Sequence, residues 1–483
     1  MNVIATRSPA VGSLVMSESI SSVLLDAHRA RRQGLNAIAQ RQRARLSEAV
    51  AFARANSPYY RELYQDLPER IESSFVLPVV NKQELMRHFD DWVTDREVSF
   101  AAVRGFVDNP ELIGQRLLGK YSVATTSGST GIPGIFLLDT HNWTVTLAFS
   151  LRMIMGWLNA SDMFRLLVRG GRAASVLAMG GHYIGATSFA AIRAKRSARR
   201  LRALPAQAPL RNLVAELNRY RPALLIGYAS VMALLAAEQH AGRLHIQPVL
   251  VLPTSEGLSQ DGYDRIARAY HAKVRTVYVA TECLFMAIGC EHGWYHVNSD
   301  WVILEPVDAS YRPVPPGEES HTVLVSNLAN RVQPILRYDL GDRILQRPDP
   351  CPCGNPLPAI RVRGRTADIL TFPTEGREKV AVPPLALEID HVPGVELFQI
   401  VQTAPTQLRV RLHPAADADP NRVWRAVHSE LTKLLNEHGL GHVSVELATE
   451  PPVPSSAGKC RTVIPLVSSA LKTHESLGGS RCC

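Results

Sequence analysis

The stretch "TTSGSTGIPG", Thr125 to Gly134, packs three glycines, five hydroxyl side chains and one proline into ten residues. Glycine and proline are costly inside a helix, so this is a loop. Successive backbone N–H groups in a glycine-rich turn can converge on one anion, and Ser and Thr hydroxyls add donors. A phosphate is the natural guest. The Walker pattern needs a lysine before its last hydroxyl residue, and none stands here. On composition alone, a purely structural turn stays open.

Four further stretches carry polar chemistry. "YVATE" ends on Thr281 and Glu282, a carboxylate that could hold Mg²⁺ beside phosphates. "RYDLGDR" puts Asp342 in a tight turn after a strand, where a carboxylate can accept from ribose hydroxyls. "GRTADIL" brings Arg365, and "SSAGKCR" brings Lys459 in a small-residue loop. Taken singly, each has a bland reading: a surface Glu, a turn-forming Asp, a solvated Lys. "CEHGWYH" and "CPCG" supply Cys290, His296, Cys351 and Cys353. Thiolate and imidazole are zinc's usual tetrahedral ligands, and a closed set of four would be structural. Two free thiols in a Pro-Gly turn are the alternative.

The elements that must position these groups fall into three zones. Residues from about Ser19 to Ala55 read as helix, with Leu35, Ile38, Leu46, Val50 and Ala53 at helical spacing. Pro58 ends it. From Tyr121 to about Glu305 strands alternate with helices, which predicts an α/β domain with a largely parallel sheet. "FRLLVRG", "ALLIGYAS", "PVLVLPTSE" and "VRTVYVATE" are its strand-then-loop units. Beyond "PVDASYRPVPPGEES" the chain turns β-rich. Strands near Phe398–Gln402, Leu408–Leu412 and Val443–Leu447, around a helix near Arg422–Glu437, predict a small α+β domain. Its boundary is expected near Gly364 to Asp368. The division is 1–115 (helical), 116–365 (α/β and β-rich core) and 366–483 (C-terminal domain).

Composition narrows the class. The 483 residues exceed one simple core. Hydrophobic residues at 46% and charged residues at 20% suit a globular enzyme. Neither a transmembrane run nor a signal-peptide core is evident, which predicts a cytoplasmic protein without a membrane partner. The net charge of +9 (53 basic minus 44 acidic) suits an anionic ligand. It also suits nucleic acid, but no recognisable module accompanies the basic run "RAKRSARRLR", so no nucleic-acid partner is expected. Seven cysteines, an odd number in a large chain, do not read as a secreted disulfide framework.

In chain order, "TTSGSTGIPG", "YVATE", "RYDLGDR", "GRTAD" and "AGKCR" resemble the adenylate-forming superfamily of acyl-CoA synthetases and ligases. "LSEAVAFARANSPYYRELY", "PALLIGYASVMALLA", "LPTSEGLS", "NLANRVQPILRYDLGD" and "CPCGNPLPAIRVRGR" look like its phenylacetate–CoA ligase and CapK-type branch. The resemblance covers about residues 45 to 465. It implies a large multi-subdomain N-terminal domain, a small mobile C-terminal lid, and ATP, Mg²⁺ and CoA as ligands. It assigns Thr126, Ser127, Gly128, Ser129, Thr130 and Gly131 to the β- and γ-phosphates, Glu282 to Mg²⁺, and Thr281 to the α-phosphate. Ser255, Glu256 and Tyr278 would line the adenine pocket. Asp342, helped by Arg365, would bind the ribose, and Lys459 would stabilise charge during adenylation. Some members of the branch look as if they carry a structural zinc, which fits Cys290, His296, Cys351 and Cys353.

Three departures stand out. Gly134 occupies the place where the wider superfamily often ends the loop with Lys. Ala367 replaces the charged hinge residue, with Asp368 one later. "FPTEGREKVAVPPLALE" lacks the usual G-x-x-V-x-P-x-x-I-E pattern, which weakens CoA as acceptor. The acyl pocket is expected near "AMGGHYIGATSF" and "GYAS", with His182, Tyr183 and Tyr228 bordering a small, aryl or other organic acid; His182 could equally be structural. The acceptor is expected to be CoA or a carrier-protein thiol, with an amine as the alternative. A homodimer stays open. A nucleotide-binding relic is the weaker reading, because Glu282, Asp342, Arg365 and Lys459 occur together.

Overall fold

The computed structural model describes residues 18–126, 134–179, 181–193, 200–206, 208–258, 260–365, 368–373, 379–382, 384–389, 391–454 and 460–466. Ser127, Gly128, Ser129, Thr130, Gly131, Ala367 and Lys459 lie outside the described residues.

The predicted long N-terminal helix is two helices, Ile20–Gln33 and Leu35–Asn56. Gly34 between them has φ 92°, a left-handed conformation that breaks the helical path. Ser57 then caps a short helix, Pro58–Leu63, with Pro58 in its first turn. These helices have no core of their own. Leu46, Val50, Tyr60, Leu85 and Trp92 are buried with Phe136, Val325, Ile335 and Ile360 in one cluster. The Tyr60 hydroxyl and the Trp92 indole N–H both donate to the carbonyl of Pro334, at 3.1 and 2.7 Å. The helical region is therefore fastened to the β-rich region across some 250 residues of sequence.

The parallel sheet is smaller than the sequence suggests. It has five strands in the order Leu201–Pro205, Ala173–Leu177, Leu224–Tyr228, Leu250–Thr254, Lys273–Val274, all parallel. "FRLLVRG" is not one of them. It lies at the end of the helix Ala160–Val168, which Asn159 and Asp162 open with a reciprocal capping box. Met163 and Leu166 pack inward, while Phe164, Leu167 and Val168 are exposed. The apolar run carries a helical stripe, and the true strand begins at Ala173. "VRTVYVATE" does form a strand, Val277–Ala280, but in a second, antiparallel sheet. That sheet runs Asp342–Gln346, Ala359–Arg365, Tyr295–Val297, Cys283–Gly289, Val277–Ala280.

The glycine loop is the tip of an antiparallel hairpin, Tyr121–Thr125 with Ile135–Leu138. "NLANRVQP" holds this hairpin. The amide N–H of Leu137 donates to the Gln333 side-chain carbonyl at 2.5 Å, and the Asn330 amide donates to the Leu137 carbonyl at 2.8 Å. The Asn327 amide donates to the backbone carbonyl of Glu282 at 2.9 Å. An outer strand with unpaired backbone groups would be costly to bury; Gln333 and Asn330 pair those of Leu137, and Asn327 does the same for Glu282.

The C-terminal region has its own core. Leu370, Phe372, Ile400, Leu408, Val427 and Leu431 are buried together, all from residues beyond 365. A four-stranded sheet, Ser444–Leu447, Gln407–Pro414, Val395–Ala404, Val463–Ile464, carries the helix Pro420–Glu437. Its burial pattern matches the predicted helix and strands. The whole is a mixed α/β protein with several sheets and a separate C-terminal domain.

Gln333→Ala leaves the buried Leu137 N–H without a partner. It should lower the unfolding free energy by about 2–3 kcal/mol, read as a reduced urea midpoint with an unchanged m-value.

Candidate active site and metal centre

Thr281 and Glu282 form the two-residue turn between Val277–Ala280 and Cys283–Gly289, with Cys283 paired to Ala280. Asp342 begins one strand and Arg365 ends its neighbour, and the two are in register. The hairpin turn, Asp342 and Arg365 thus share one end of the antiparallel sheet.

The side chains there form a charged cluster. Asp342 is buried at 7% exposure. It accepts from the Tyr278 hydroxyl at 2.8 Å and from the Arg365 Nε–H at 3.1 Å. Glu282, also 7% exposed, accepts from the Tyr338 hydroxyl at 3.0 Å. Burial pushes both carboxyl groups above their ordinary range, in spite of Arg365. Arg365 is in turn held more firmly protonated, chiefly by Asp342. Two carboxyl groups share the Arg365 guanidinium in a dry setting.

Lys82 is a residue the sequence reading passed over. It begins the helix Lys82–Arg87, capped by Asn81. A side chain at Gly134 would meet the Lys82 Cδ at 3.3 Å. Lys82 also feels Glu282 and Arg365, and burial lowers its pKa. The preceding residues deliver it there. Val80 pairs with the strand at Tyr338, its N–H donating to the Arg337 carbonyl and its carbonyl accepting from Asp339. The Arg337 guanidinium donates to the Leu77 carbonyl at 2.7 Å and to Glu305 at 3.1 Å. No spacing in the sequence links residue 82 to the loop at 125–134. The only signal is the absent loop lysine itself.

The loop's described ends are clasped. The N–H of Thr126 donates to the Gly134 carbonyl at 2.9 Å, and the Gly134 N–H donates to the Thr126 hydroxyl at 2.8 Å. The preceding Thr125 N–H donates to the His182 carbonyl at 2.7 Å, beside the bridge to Tyr183. Tyr183 and Tyr228 lie at the carboxyl ends of the parallel strands, where the strand order reverses. Ligands in such sheets sit in that crevice. The Tyr228 hydroxyl accepts from the Ala178 N–H at 3.2 Å, and burial pushes its pKa up to about 12. Gly227 is required here: a Cβ would stand 2.9 Å from the Val176 carbonyl oxygen on the neighbouring strand. His182 is buried, with its ring 5.2 Å from that of Phe106.

Ser255 and Glu256 follow the strand Leu250–Thr254, beside Tyr228. Ser255 adopts φ 68°. Glu256 accepts from the Ser230 N–H at 2.7 Å and from the Cys460 N–H, in the C-terminal domain, at 2.8 Å. A run of neighbours links Tyr183 to Thr125, Thr126 to Gly134, and Gly134 to Lys82, which in turn feels Glu282 and Arg365. The loop interior and Lys459 fall outside the described residues.

At the opposite end of the same sheet, Cys290, His296, Cys351 and Cys353 bring ligand atoms within 4.8 Å of one another. The Cys290 and Cys351 sulfurs are 3.8 Å apart. That is far too long for a disulfide. Two thiolates about 2.3 Å from one tetrahedral ion would stand about 3.8 Å apart. The His296 Nδ1–H can donate to the Leu357 carbonyl at 3.0 Å, which turns Nε2 towards Cys353 at 3.1 Å. A fixed tautomer of this kind is typical of a ligating histidine. Arg347 and Arg361 lie over the Trp294 ring beside the cluster, at 5.1 and 4.3 Å, and set cations near the thiols. The donor set fits zinc.

The fold is that of the acyl-CoA and adenylate-forming ligases. The chain is similar to 2-hydroxyisobutyryl-CoA ligase in its postadenylation state with an acyl-AMP, at TM-score 0.62 and 22% identity over 91% of this chain and 90% of that one. The same ligase in its thioesterification state matches at TM-score 0.51. The GH3.15 acyl acid amido synthetase matches at 0.55 and 14% identity, over 89% and 91% of the two chains. Protein CapK from Staphylococcus aureus is 24% identical over 230 residues, 46% of this chain and 49% of that protein, so the match spans about half of this relative. No protein-family model matches. Among the described residues, no helix is long and apolar enough to cross a membrane.

The raised Glu282 pKa fixes the sign of a stability effect. A carboxyl raised by burial stabilises the fold when protonated, and that contribution is lost as pH rises through its folded value. The ligand-free protein thus carries a cost at neutral pH. Glu282→Gln should melt about 2–4 °C above wild type at pH 7.5, with the gap closing towards pH 5. A lower melting temperature at pH 7.5 would mean that the charge is already fully compensated.

Proposed function

We propose that this chain is an ATP-dependent, AMP-forming ligase that activates a small carboxylic acid as its acyl-adenylate. The observation that carries this reading is the buried Glu282–Arg365–Asp342 cluster beside the clasped glycine loop. Asp342, oriented by Tyr278 and Arg365, keeps acceptor capacity for ribose hydroxyls. Glu282 would hold Mg²⁺, which supplies countercharge to phosphoryl oxygens. Lys82 supplies the positive charge that the loop lacks at Gly134. Thr126 to Gly131 wrap the terminal phosphates, and Thr281 sits by the α-phosphate. Ser255, Glu256 and Tyr278 border the adenine. Lys459 enters on the lid, residues 366–483, and stabilises charge as the carboxylate attacks the α-phosphate. Catalysis by such a site is positioning plus stabilisation of charge on oxygen.

Tyr183 and Tyr228, at the crevice of the parallel sheet, line an acyl pocket suited to an aromatic acid. His182 borders it through its backbone. The acceptor is a thiol, with CoA ahead of a carrier protein. A second reading, transfer to an amine, is favoured by the missing G-x-x-V-x-P-x-x-I-E pattern in "FPTEGREKVAVPPLALE". The likeness to an acyl acid amido synthetase runs the same way. Zinc at Cys290, His296, Cys351 and Cys353 is structural, since four protein ligands leave no open position.

Pyrophosphate release from ATP and Mg²⁺ across a panel of aryl, amino and short-chain acids tests the reaction. Release should depend on one class of acid and fall at least about 100-fold in Lys459→Ala and Asp342→Asn. Release independent of any acid would refute it. Product analysis with CoA or an amine separates the two acceptors.

Elemental analysis tests the metal. The purified protein should hold one zinc per chain, and Cys351→Ser should lose it and melt about 5–10 °C lower.

A further inference from the structure

Glu256 joins two bodies of the protein. Its Oε2 accepts from the N–H of Ser230, in the first turn of the helix Ala229–His240. A carboxylate is stabilised at that end of a helix. Its Oε1 accepts from the N–H of Cys460, in the C-terminal domain. The preceding Ser255 holds φ 68°, a conformation side chains rarely adopt, just past the end of the strand Leu250–Thr254. Cys460 is 5% exposed, and burial pushes its thiol pKa up to about 12, so the contact to Glu256 is through the backbone and not through a thiolate.

Other groups meet across the same boundary. The Arg265 guanidinium donates to the Val395 carbonyl at 2.9 Å. The helix Ala229–His240 packs on the strand Val395–Ala404. Glu396 on that strand faces Glu238, Arg243 and Arg265. Within the C-terminal domain, Arg461 pairs with Asp368, beside the expected hinge. Cys460 is the residue next to Lys459 in the chain. Among these contacts, the bond from Glu256 is the one made to Cys460, the chain neighbour of Lys459.

We infer that Glu256 is a positioning residue, a latch that seats the segment bearing Lys459 against the large domain for adenylation and must let go before the second half-reaction. This rests on the reading of Lys459 as the adenylation lysine. A carboxylate suits the task because it accepts from both N–H groups at once. A glutamine of the same shape has one acceptor oxygen and turns a donor on the other N–H. The charge at the helix end also strengthens each bond beyond a neutral one.

The test compares wild type, Glu256→Gln, Arg265→Met and Lys459→Ala as full-length protein. Hydrogen exchange reports the latch without any substrate. The segment Cys460–Leu466 should exchange about tenfold faster in Glu256→Gln, while Val395–Pro414 in the lid core stays unchanged. Arg265→Met, which removes a different bond across the boundary, should loosen the same segment to a smaller extent. ATP–pyrophosphate exchange, with the acid picked out by the panel, should lose about tenfold in kcat in Glu256→Gln, a larger change than any in KM for ATP, since Glu256 also borders the adenine. Release of the acyl group from preformed acyl-adenylate should be unchanged or faster. Unchanged hydrogen exchange at Cys460–Leu466 overturns the latch. So does a raised KM for ATP with kcat intact, which would make Glu256 an adenine contact only. Should Lys459→Ala keep full exchange activity, the lysine assignment fails, and the hydrogen-exchange result decides separately whether Glu256 holds the lid.

Discussion

The burial of two carboxylates beside one guanidinium is the constraint around which the large domain is arranged. Glu282 and Asp342 are each 7% exposed, and Arg365 is shared between them. A buried charge without full compensation is expensive and persists only where surrounding structure holds it in place. Here Tyr278 and Tyr338 each donate a hydroxyl to the carboxyl oxygens, and Lys82 brings a second cation near Glu282. Holding the two carboxyls in this setting carries a cost for the ligand-free protein.

Holding those groups in place needs chain from far away. "NLANRVQP" supplies Asn327 to the Glu282 peptide, and Asn330 and Gln333 to the glycine-loop hairpin, so one segment ties the two sides of the cluster. The N-terminal helices do the same from outside. Val80 extends the strand next to Asp342, Arg337 grips Leu77, and Lys82 arrives beside Gly134 as a result. At the far end of the same sheet, about 20 Å away along the seven-residue strand Cys283–Gly289, the Cys290–His296–Cys351–Cys353 cluster closes the loops between strands. The two ends of the sheet thus differ, one held by polar side chains and the other carrying a cluster of three thiols and an imidazole.

The C-terminal domain is built differently. Its core is self-contained, and beside the packing of the helix Ala229–His240 on the strand Val395–Ala404, its named contacts with the large domain are polar: Glu256 with Cys460, Arg265 with Val395, Glu396 with its three charged neighbours. An interface of hydrogen bonds can be exchanged for water at small net cost, whereas a shared apolar core cannot. That contrast separates it from the N-terminal helices, which share one apolar core with the large domain.

The sequence by itself determined the local elements that bear the candidate residues. Thr281–Glu282 at a strand end and the helix Pro420–Glu437 are set by short-range pattern, whereas Asp342, which reads as part of the turn, opens the strand that follows it. The helix Ala160–Val168 was misread as a strand because a short apolar run has the same local signature in either state, and only its cap and its one buried face decide. The extent of the parallel sheet was overread for a related reason: a strand's pairing direction is not written in its residues. Tertiary structure alone decided that Lys82 stands by Gly134, that His182 faces Phe106, and that Glu256 bridges to Cys460. Each is a contact between residues tens to hundreds of positions apart, and no local periodicity encodes such a meeting. It follows from how buried strands find partners for their backbone groups once the apolar faces have closed.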